Sequence, residues 1–333
     1  MIKRTLAILC LLPAALCFGQ NNKYHIVKTF HIASPGSWDY LAVNGNKLYV
    51  SHGTQVNILD KNTGDSLGVI PNTAGVHGIA FAKSFNKGFT SNGRSNNVTV
   101  FDLNTDKVLE QISTGQNPDA ILFDNFAKKI ITCNGRSQDL SVIDPATSKV
   151  VATIAVGGKP ETAVTDDAGK LYVNIEDKNE IVEVDTKTFE VRNHYSIAPG
   201  DGPAGLAIDK KTKRLFSGCD QLLMVIDATT GKVIDKLPIG KGCDGVAFDP
   251  STNNIFASNG DGTLTVIHED SPNQFKVVEN AVTKPRARTI AIDEQTHRIY
   301  LPTSEFEPVA QNAPATERPK MIPGTFQVLV IDK

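Results

Sequence analysis

The residues best suited to chemistry in this 333-residue chain recur at regular intervals. The segments GQNPDAILFD (115–124) and GGKPETAVTD (157–166) each place a proline and an acid at the start of an apolar run, so that Asp119 and Glu161 lie 42 residues apart. A carboxylate there can bind a cation or transfer a proton. Carboxylates that converge on one point repel one another unless a positive group lies among them. We therefore expect a cation or a cationic partner where these positions meet.

Equivalent positions can be followed along the whole chain. The first series, at the start of the apolar runs, consists of Asp39, His77, Asp119, Glu161, Ala204, Asp244 and Arg288. A second series, at the end of the next apolar run, consists of His52, Asn92, Asn134, Ile175, Cys219, Asn259 and Thr303. Four further charged residues lie close to the second series in sequence: Arg94, Arg136, Glu176 and Glu305.

A repeat of about 42 residues positions both series. The segments VNILD, VTVFD, LSVID, IVEVD, LMVID, LTVIH and VLVID end at residues 60, 102, 144, 185, 227, 268 and 332. Their spacings are 42, 42, 41, 42, 41 and 64 residues, so one repeat carries an insertion. Each unit alternates short Val, Ile, Leu and Phe runs with turn residues, a pattern typical of β-strands.

Four antiparallel strands in a unit of this length predict the blade of a β-propeller. The sequence therefore predicts an all-β fold with seven blades, built as one domain over residues 21–333. The last repeat supplies only three strands, while YHIVKTFHIA (24–33) stands alone before the first repeat. We expect this N-terminal strand to complete blade seven and close the ring, which removes exposed strand edges.

Several repeats also resemble a known family. The residues that carry the likeness are Pro118 and Pro160, the strands ITCN (131–134) and LYVN (171–174), and SVID (141–144). They resemble the YVTN repeats of YncE-like seven-bladed propellers. The resemblance implies an exported bacterial protein but no single activity, since one fold can carry many functions.

In a propeller, the first strand of each blade lines the central channel, so the first series would surround one channel mouth. The residues expected to bind a ligand there are Asp39, His52, His77, Asn92, Arg94, Asp119, Asn134, Arg136, Glu161, Glu176, Asp244, Asn259, Arg288 and Glu305. Asp119, Glu161, Asp244 and His77 are the candidate ligands of a divalent cation, either Ca²⁺, Mg²⁺, Mn²⁺ or Zn²⁺. The alternative is that these side chains cap turns or hydrate the channel.

The first twenty residues are typical of a secretory signal peptide. Lys3 and Arg4 precede an apolar run, and cleavage is expected near Gly19 or Gln20. Leu16 before Cys17 argues against a lipoprotein anchor, so we expect a periplasmic or secreted protein. Loss of Lys3 and Arg4 changes the formal net charge from −2 to −4. That charge argues against nucleic acid as a partner. No segment is long enough to span a membrane, and a monomer is expected.

Two further features concern the same mouth. Residues 302–326 form a Pro-rich insertion in blade seven, expected to be a lid over the channel with Phe306, Arg318 and Lys320 in contact, or else an unstructured insertion. Three cysteines follow the signal peptide: Cys133, Cys219 and Cys243. Cys219 and Cys243 fall on the same face of the fold, so we expect a disulfide between them and a free Cys133.

These observations leave three hypotheses about function. The first is a binding or scaffold propeller that takes a small molecule or a protein partner at the channel mouth, without a required cofactor. The second is a metal-dependent hydrolase or lactonase in which a divalent cation activates water. The third, single-stranded nucleic-acid binding, is disfavoured by the acidic charge and by the scarcity of aromatic residues near basic ones.

Overall fold

The computed structural model describes residues 23–308 and 319–333. In these ranges the strands form seven four-stranded sheets, and the helical segments are two single-turn 3-10 helices, Lys83–Phe85 and Glu176–Lys178. The predicted all-β, seven-bladed propeller is therefore confirmed. The predicted signal peptide lies outside the described residues. Within them, no helix is both long and apolar enough to cross a bilayer.

The strands follow the repeat. The N-terminal strand is β1 (His25–His31). Blade one contains β2 (Trp38–Asn44), β3 (Lys47–His52), β4 (Gln55–Asp60) and β5 (Ser66–Ile70). Blade two contains β6 (Val76–Ala82), β7 (Lys87–Asn92), β8 (Asn97–Asp102) and β9 (Val108–Ser113). Blade three contains β10 (Pro118–Asp124), β11 (Lys129–Asn134), β12 (Asp139–Asp144) and β13 (Lys149–Ala155).

The remaining blades have the same order. Blade four contains β14 (Pro160–Thr165), β15 (Lys170–Ile175), β16 (Glu180–Asp185) and β17 (Glu190–Ser196). Blade five contains β18 (Leu206–Asp209), β19 (Arg214–Gly218), β20 (Leu222–Asp227) and β21 (Val233–Pro238). Blade six contains β22 (Cys243–Asp249), β23 (Asn254–Asn259), β24 (Thr263–Ser271) and β25 (Gln274–Val282). Blade seven contains β26 (Ala291–Ile292), β27 (Ile299–Thr303) and β28 (Gln327–Asp332), completed by β1.

Apolar side chains of neighbouring blades pack against each other and form the core. The second and third strands of each blade are buried on both faces because each lies between two other blades. Seven hydrophobic clusters result, one at each interface between blades; the cluster between blades three and four, for example, includes Val142 and Val173. Outer strands such as β13 expose most of their residues. This packing holds the inner strands at fixed positions around the channel.

The ring closes in blade seven. Strand β1 pairs antiparallel with β28, from His25 opposite Asp332 to His31 opposite Gln327. A buried ion pair adds a second connection between blades one and seven, since Lys61 Nζ lies 2.6 Å from Asp293 Oδ2. The predicted role of the N-terminal strand is therefore confirmed.

The acids that end the third strands have a local role. Asp102 Oδ1 accepts hydrogen bonds from the backbone N–H groups of Asn104 (3.0 Å) and Thr105 (2.8 Å). The same pattern recurs at Asp60 and Asp185. These bonds stabilise the charged form, so the pKa of Asp102 is lowered. Such acids form turns at the end of the molecule opposite the starts of the inner strands.

Candidate functional site

Five charged or titratable residues surround one mouth of the channel. Asp39, His77, Asp119, Glu161 and Asp244 are the second residues of β2, β6, β10, β14 and β22, and all are partly buried. We call these five residues the acidic ring. The other members of the first series lie just before their inner strands; Ala204 is buried and Arg288 is exposed.

A β-bulge occurs at the start of each strand that carries a ring residue. In blade one the pairing register with β3 shifts between Trp38 and Leu41. Equivalent shifts occur in blades two, three, four and six. A bulge breaks the strict alternation of side chains and can turn consecutive residues towards one side. Tyr40 Oη accordingly reaches across the channel to within 3.3 Å of Thr162 Oγ1 of blade four.

His77 lies between two carboxylates. Its Nδ1 is 2.5 Å from Asp39 Oδ2 and 3.8 Å from Asp119 Oδ1. Burial alone would lower the pKa of His77, but the hydrogen bond with Asp39 and the charges of Asp119 and Asp39 outweigh burial and raise the pKa to about 9. At neutral pH His77 is therefore an imidazolium, and its positive charge partly offsets the negative charges of Asp39 and Asp119.

Asp119 is the least compensated acid of the ring. Burial, followed by the charge of Asp39, raises the pKa of its carboxyl group well above the usual range. Among the described residues, the carboxylate accepts no hydrogen bond. The backbone carbonyl of Asp119 is fixed by a hydrogen bond from Ser91 Oγ of blade two, so the strand is held firmly while its carboxylate remains available.

Each of the other two ring acids has a cation beside it. Lys159 Nζ lies 3.0 Å from Glu161 Oε2 and also contacts Glu176. Burial nevertheless raises the pKa of Glu161. Arg288 Nε lies 3.1 Å from Asp244 Oδ2, and burial raises the pKa of Asp244 to about 6 despite this ion pair. The ring thus contains charged groups whose desolvation is only partly offset by their neighbours.

The polar members of the second series occupy a different environment. Asn134 is fully buried; its amide donates to Asp139 Oδ1 (2.7 Å) and Ser141 Oγ (2.9 Å) and accepts from Thr132 Oγ1 (3.0 Å). The amides of Asn92 and Asn259 each donate two equivalent bonds in blades two and six, while Asn259 Oδ1 accepts none from the described residues. His52 is also fully buried, within hydrogen-bonding distance of Ser34 Oγ (2.8 Å) and Gly36 O (3.0 Å). We call His52, Asn92, Asn134 and Asn259 the corner residues.

The four other predicted ligand-binding residues are spread over the rim. Arg94 and Arg136 are exposed and form no ion pair within the described part of the chain. Glu176 joins the ring through Lys159. Glu305 is exposed, with Oε1 2.5 Å from Lys284 Nζ and 2.8 Å from Gln327 Nε2. The structure therefore brings only Glu176 of these four into contact with the acidic ring through a shared partner.

The predicted disulfide between Cys219 and Cys243 is wrong in this structure, where Cys133, Cys219 and Cys243 are all buried free thiols. Cys219 packs with Met224 between blades four and five, whereas Cys243 packs with Phe216 between blades five and six. The two side chains occupy different hydrophobic clusters, which sequence position could not reveal. Burial raises the pKa of all three thiols, which disfavours their reactive thiolate form.

The insertion of blade seven returns to the ring face at its two ends. Phe306 forms an isolated β-bridge with Met321, and its ring lies 6.1 Å from that of Trp38. Residues 309–318, including Arg318, are outside the described residues, so the lid stays a prediction. The three aromatic residues Trp38, Phe306 and Phe326 lie beside the acidic ring, a grouping that the repeat did not indicate.

A family model described as "YNCE-like beta-propeller" matches residues 49–171. A search of curated proteins finds no match. The structure is similar to a chain in the solved structure of Kuenenia stuttgartiensis Hydrazine Synthase, with a TM-score of 0.71 and 14% identity over 81% of this chain and 94% of that chain. At this identity the likeness supports the fold alone.

The family match covers part of blade one, blades two and three, and part of blade four. Residues 49–171 begin within blade one and end within blade four, and this segment includes His77, Asp119 and Glu161 of the acidic ring. The resemblance seen in ITCN (131–134) and SVID (141–144) is thus confirmed, because both lie within the matched segment. This chain is a seven-bladed β-propeller whose residues 49–171 match the YncE-like family.

Proposed function

We propose that this protein is a binding propeller that holds a small, positively charged organic ligand in the acidic ring. The charge balance at the channel mouth carries the proposal. The carboxylates of Asp39, Asp119, Glu161, Glu176 and Asp244 face three cationic side chains, those of His77, Lys159 and Arg288. An ammonium or guanidinium group would supply the missing positive charge.

The pKa values of the acidic ring indicate which carboxylates would attract a cationic ligand most strongly. The pKa values of Asp119, Glu161 and Asp244 are all raised, with burial as the largest cause. A cation close to these carboxylates would favour their ionised forms and so be bound more tightly as pH rises. Asp119, which has the weakest internal partner, is the residue most suited to contact the ligand directly.

A metal ion is the second candidate, and one observation favours it. Ligand atoms of Asp39, His77 and Asp119 lie within 4.8 Å of one another, the only such group among the described residues. A metal would bring Lewis-acid and water-activating chemistry to the mouth, as in a metal-dependent hydrolase or lactonase. Binding at Nδ1 would require the metal to displace the hydrogen bond between His77 and Asp39 and to release the proton of the imidazolium.

Calorimetric titration of the chain without its signal peptide tests the proposal. Putrescine is compared with butanediol, an uncharged molecule of similar length, and with the chlorides of Ca²⁺, Mg²⁺, Mn²⁺ and Zn²⁺. We expect putrescine to bind and butanediol not to. The double variant Asp119→Asn with Glu161→Gln should weaken putrescine binding at least about tenfold, the effect of losing a charge-assisted contact.

A matched control removes two acids elsewhere. Glu110→Gln with Glu190→Gln changes the net charge equally on exposed outer strands of blades two and four, and should leave binding unchanged. Equal binding by all variants would overturn the ring as the site. A near-stoichiometric metal in the purified protein, lost in the ring variant, would instead favour the metal-dependent enzyme.

Export is part of the same proposal. The signal peptide predicted at residues 1–20 supports a periplasmic or secreted location, where small cationic molecules would reach the mouth directly. Fractionation of cells that produce the full chain, followed by mass measurement of the processed protein, tests this. An unprocessed chain that still carries residues 1–20 and is found in the cytoplasm would contradict this location.

A further inference from the structure

A second concave surface lies beside the acidic ring, where blades six, seven and one meet. It has a volume of about 600 Å³ and is lined mainly by Trp38, Arg286, Arg288, Phe306 and Met321. We call it the arginine pocket. Its volume lies within the usual range for small-molecule sites, which is roughly 300 to 1,000 Å³. Its chemistry is opposite to that of the ring, because its charged groups are guanidinium groups.

Aromatic residues form one wall of the pocket. Trp38 stacks on Phe326, with ring centroids 5.4 Å apart and an interplanar angle of 27°. The Phe306 ring lies 6.1 Å from that of Trp38 at a tilted angle of 53°, and Phe306 is bridged to Met321. Trp38 therefore contacts two other aromatic rings. A flat apolar molecule could contact this wall without reorganising it.

The cationic groups stand next to that wall. The guanidinium carbon of Arg286 is 4.8 Å from the centroid of the Phe306 ring, an arrangement typical of a cation–π contact. Arg286 has no carboxylate partner among residues 23–308 and 319–333. Its backbone is anchored, since its N–H donates to Gly260 O at 2.8 Å. Arg288 is already paired with Asp244, so Arg286 is the guanidinium available to an anion.

Two glycines form another part of the pocket lining. Gly242 and Gly260 line it, and Gly260 N–H donates to Gly242 O at 2.9 Å. Gly242 has φ +66°, a left-handed conformation that favours glycine. Because neither residue has a side chain, this part of the pocket is bounded by backbone.

We propose that the arginine pocket binds a small molecule with a flat apolar body and a carboxylate. The carboxylate would pair with the planar fork of Arg286, and the apolar body would lie against Trp38 and Phe306. This inference does not depend on the ligand of the acidic ring. It assigns a separate site for an anion, joined to the ring only through the ion pair of Arg288 with Asp244.

The only tryptophan of the chain, Trp38, provides a direct signal for this site. Phenylbutanoate and its uncharged analogue phenylbutanamide are titrated against the chain without its signal peptide, with tryptophan emission and calorimetry as readouts. We expect phenylbutanoate to bind with a change in Trp38 emission, and phenylbutanamide to bind at least about tenfold more weakly, as for a lost charge-assisted hydrogen bond.

Substitutions locate the effect. Arg286→Gln should weaken phenylbutanoate at least about tenfold and abolish the preference for it over phenylbutanamide. Phe306→Leu should weaken both compounds, because it removes the aromatic contact. Arg192→Gln changes the same charge on the outer strand of blade four and should have no effect. Circular dichroism and thermal unfolding confirm that each variant is folded.

Two results would overturn the inference. One is that phenylbutanoate and phenylbutanamide bind equally well or that neither compound binds. The other is unchanged phenylbutanoate binding by folded Arg286→Gln. The acidic-ring variant Asp119→Asn with Glu161→Gln distinguishes the sites, since it should lose putrescine binding and keep phenylbutanoate binding.

Discussion

The acidic ring and the corner residues are both polar series at one end of the same propeller, yet they use their polar atoms in opposite ways. The corner residue Asn134 is fully buried and makes three hydrogen bonds within its own blade. The ring residue Asp119 is partly buried, and its carboxylate accepts no hydrogen bond from the described residues. A repeated polar residue therefore supports the fold when the protein supplies its hydrogen-bond partners, and it is a candidate for ligand binding when the protein does not.

The geometry of the side chains explains the difference. An asparagine amide carries two donor hydrogens and an acceptor, which match the hydroxyl and carboxylate groups where the second and third strands turn. Ring carboxylates offer only acceptors when ionised and meet other carboxylates across the channel. Their requirements cannot all be met from within, so a ligand can meet them.

Removal of a corner residue should cause the largest loss of stability. We expect Asn134→Ala to lower the free energy of unfolding by about 3 kcal/mol, because Thr132, Asp139 and Ser141 lose a buried partner. Unfolding in guanidinium chloride measures the change. The control Asn280→Ala, on an exposed outer strand, should change it by less than about 0.5 kcal/mol. A small effect at Asn134 would remove the distinction between the two series.

The ring should be visible in the pH dependence of stability. The pKa of His77 is raised from 6.5 to about 9, so its contribution is complete below pH 6.5 and is lost as pH rises through about 9. We expect a decrease on the order of 2 kcal/mol across this window, after allowance for partial exposure of the ring. His77→Asn should abolish this component, whereas His194→Asn on an outer strand should preserve it. The same slope in both variants would place the titrating group elsewhere.

A smaller effect is expected on the acid side. The pKa of Asp244 is raised from 3.8 to about 6 by burial, so folding is favoured below pH 3.8 and loses this contribution as pH rises through about 6. The free energy of unfolding should decrease by about 1 kcal/mol between these limits, a value reduced for solvent screening because the paired Arg288 is largely exposed. Asp244→Asn should remove this decrease. Chemical unfolding at closely spaced pH values measures it. A variant that retains the decrease would show that burial does not govern this carboxyl group.

The fold could be predicted because several independent features of the sequence indicate the same architecture. Repeat length, period-two alternation and the unpaired strand at residues 24–33 all require a ring of seven four-stranded blades. The position of the first series followed from the repeat in the same way, because a residue at the start of an inner strand must lie at a channel mouth. Residues such as Asp119 and Glu161 could thus be assigned a place before their contacts were known.

The contacts themselves could not be predicted. Tyr40 reaches the channel because of a bulge, whereas regular alternation would have directed it away from Asp39. Cys219 and Cys243 share a face but enter different inter-blade clusters. The arginine pocket depends on how the insertion returns Phe306 to Trp38, a path with no repeat to guide it. Hydrogen-bond saturation, bulges and loop paths are all set by tertiary packing.

The closure of blade seven has a consequence for the order in which the chain folds. Blades one to six consist of strands that are neighbours in sequence, so each can form from local hairpins. Blade seven needs His25 beside Asp332, and a loop of that length costs about 5 kcal/mol of chain entropy to close. An unfinished chain is thus an open arc whose two end blades expose apolar faces. Completion of the ring covers both faces in one late step and makes the seven blades depend on one another.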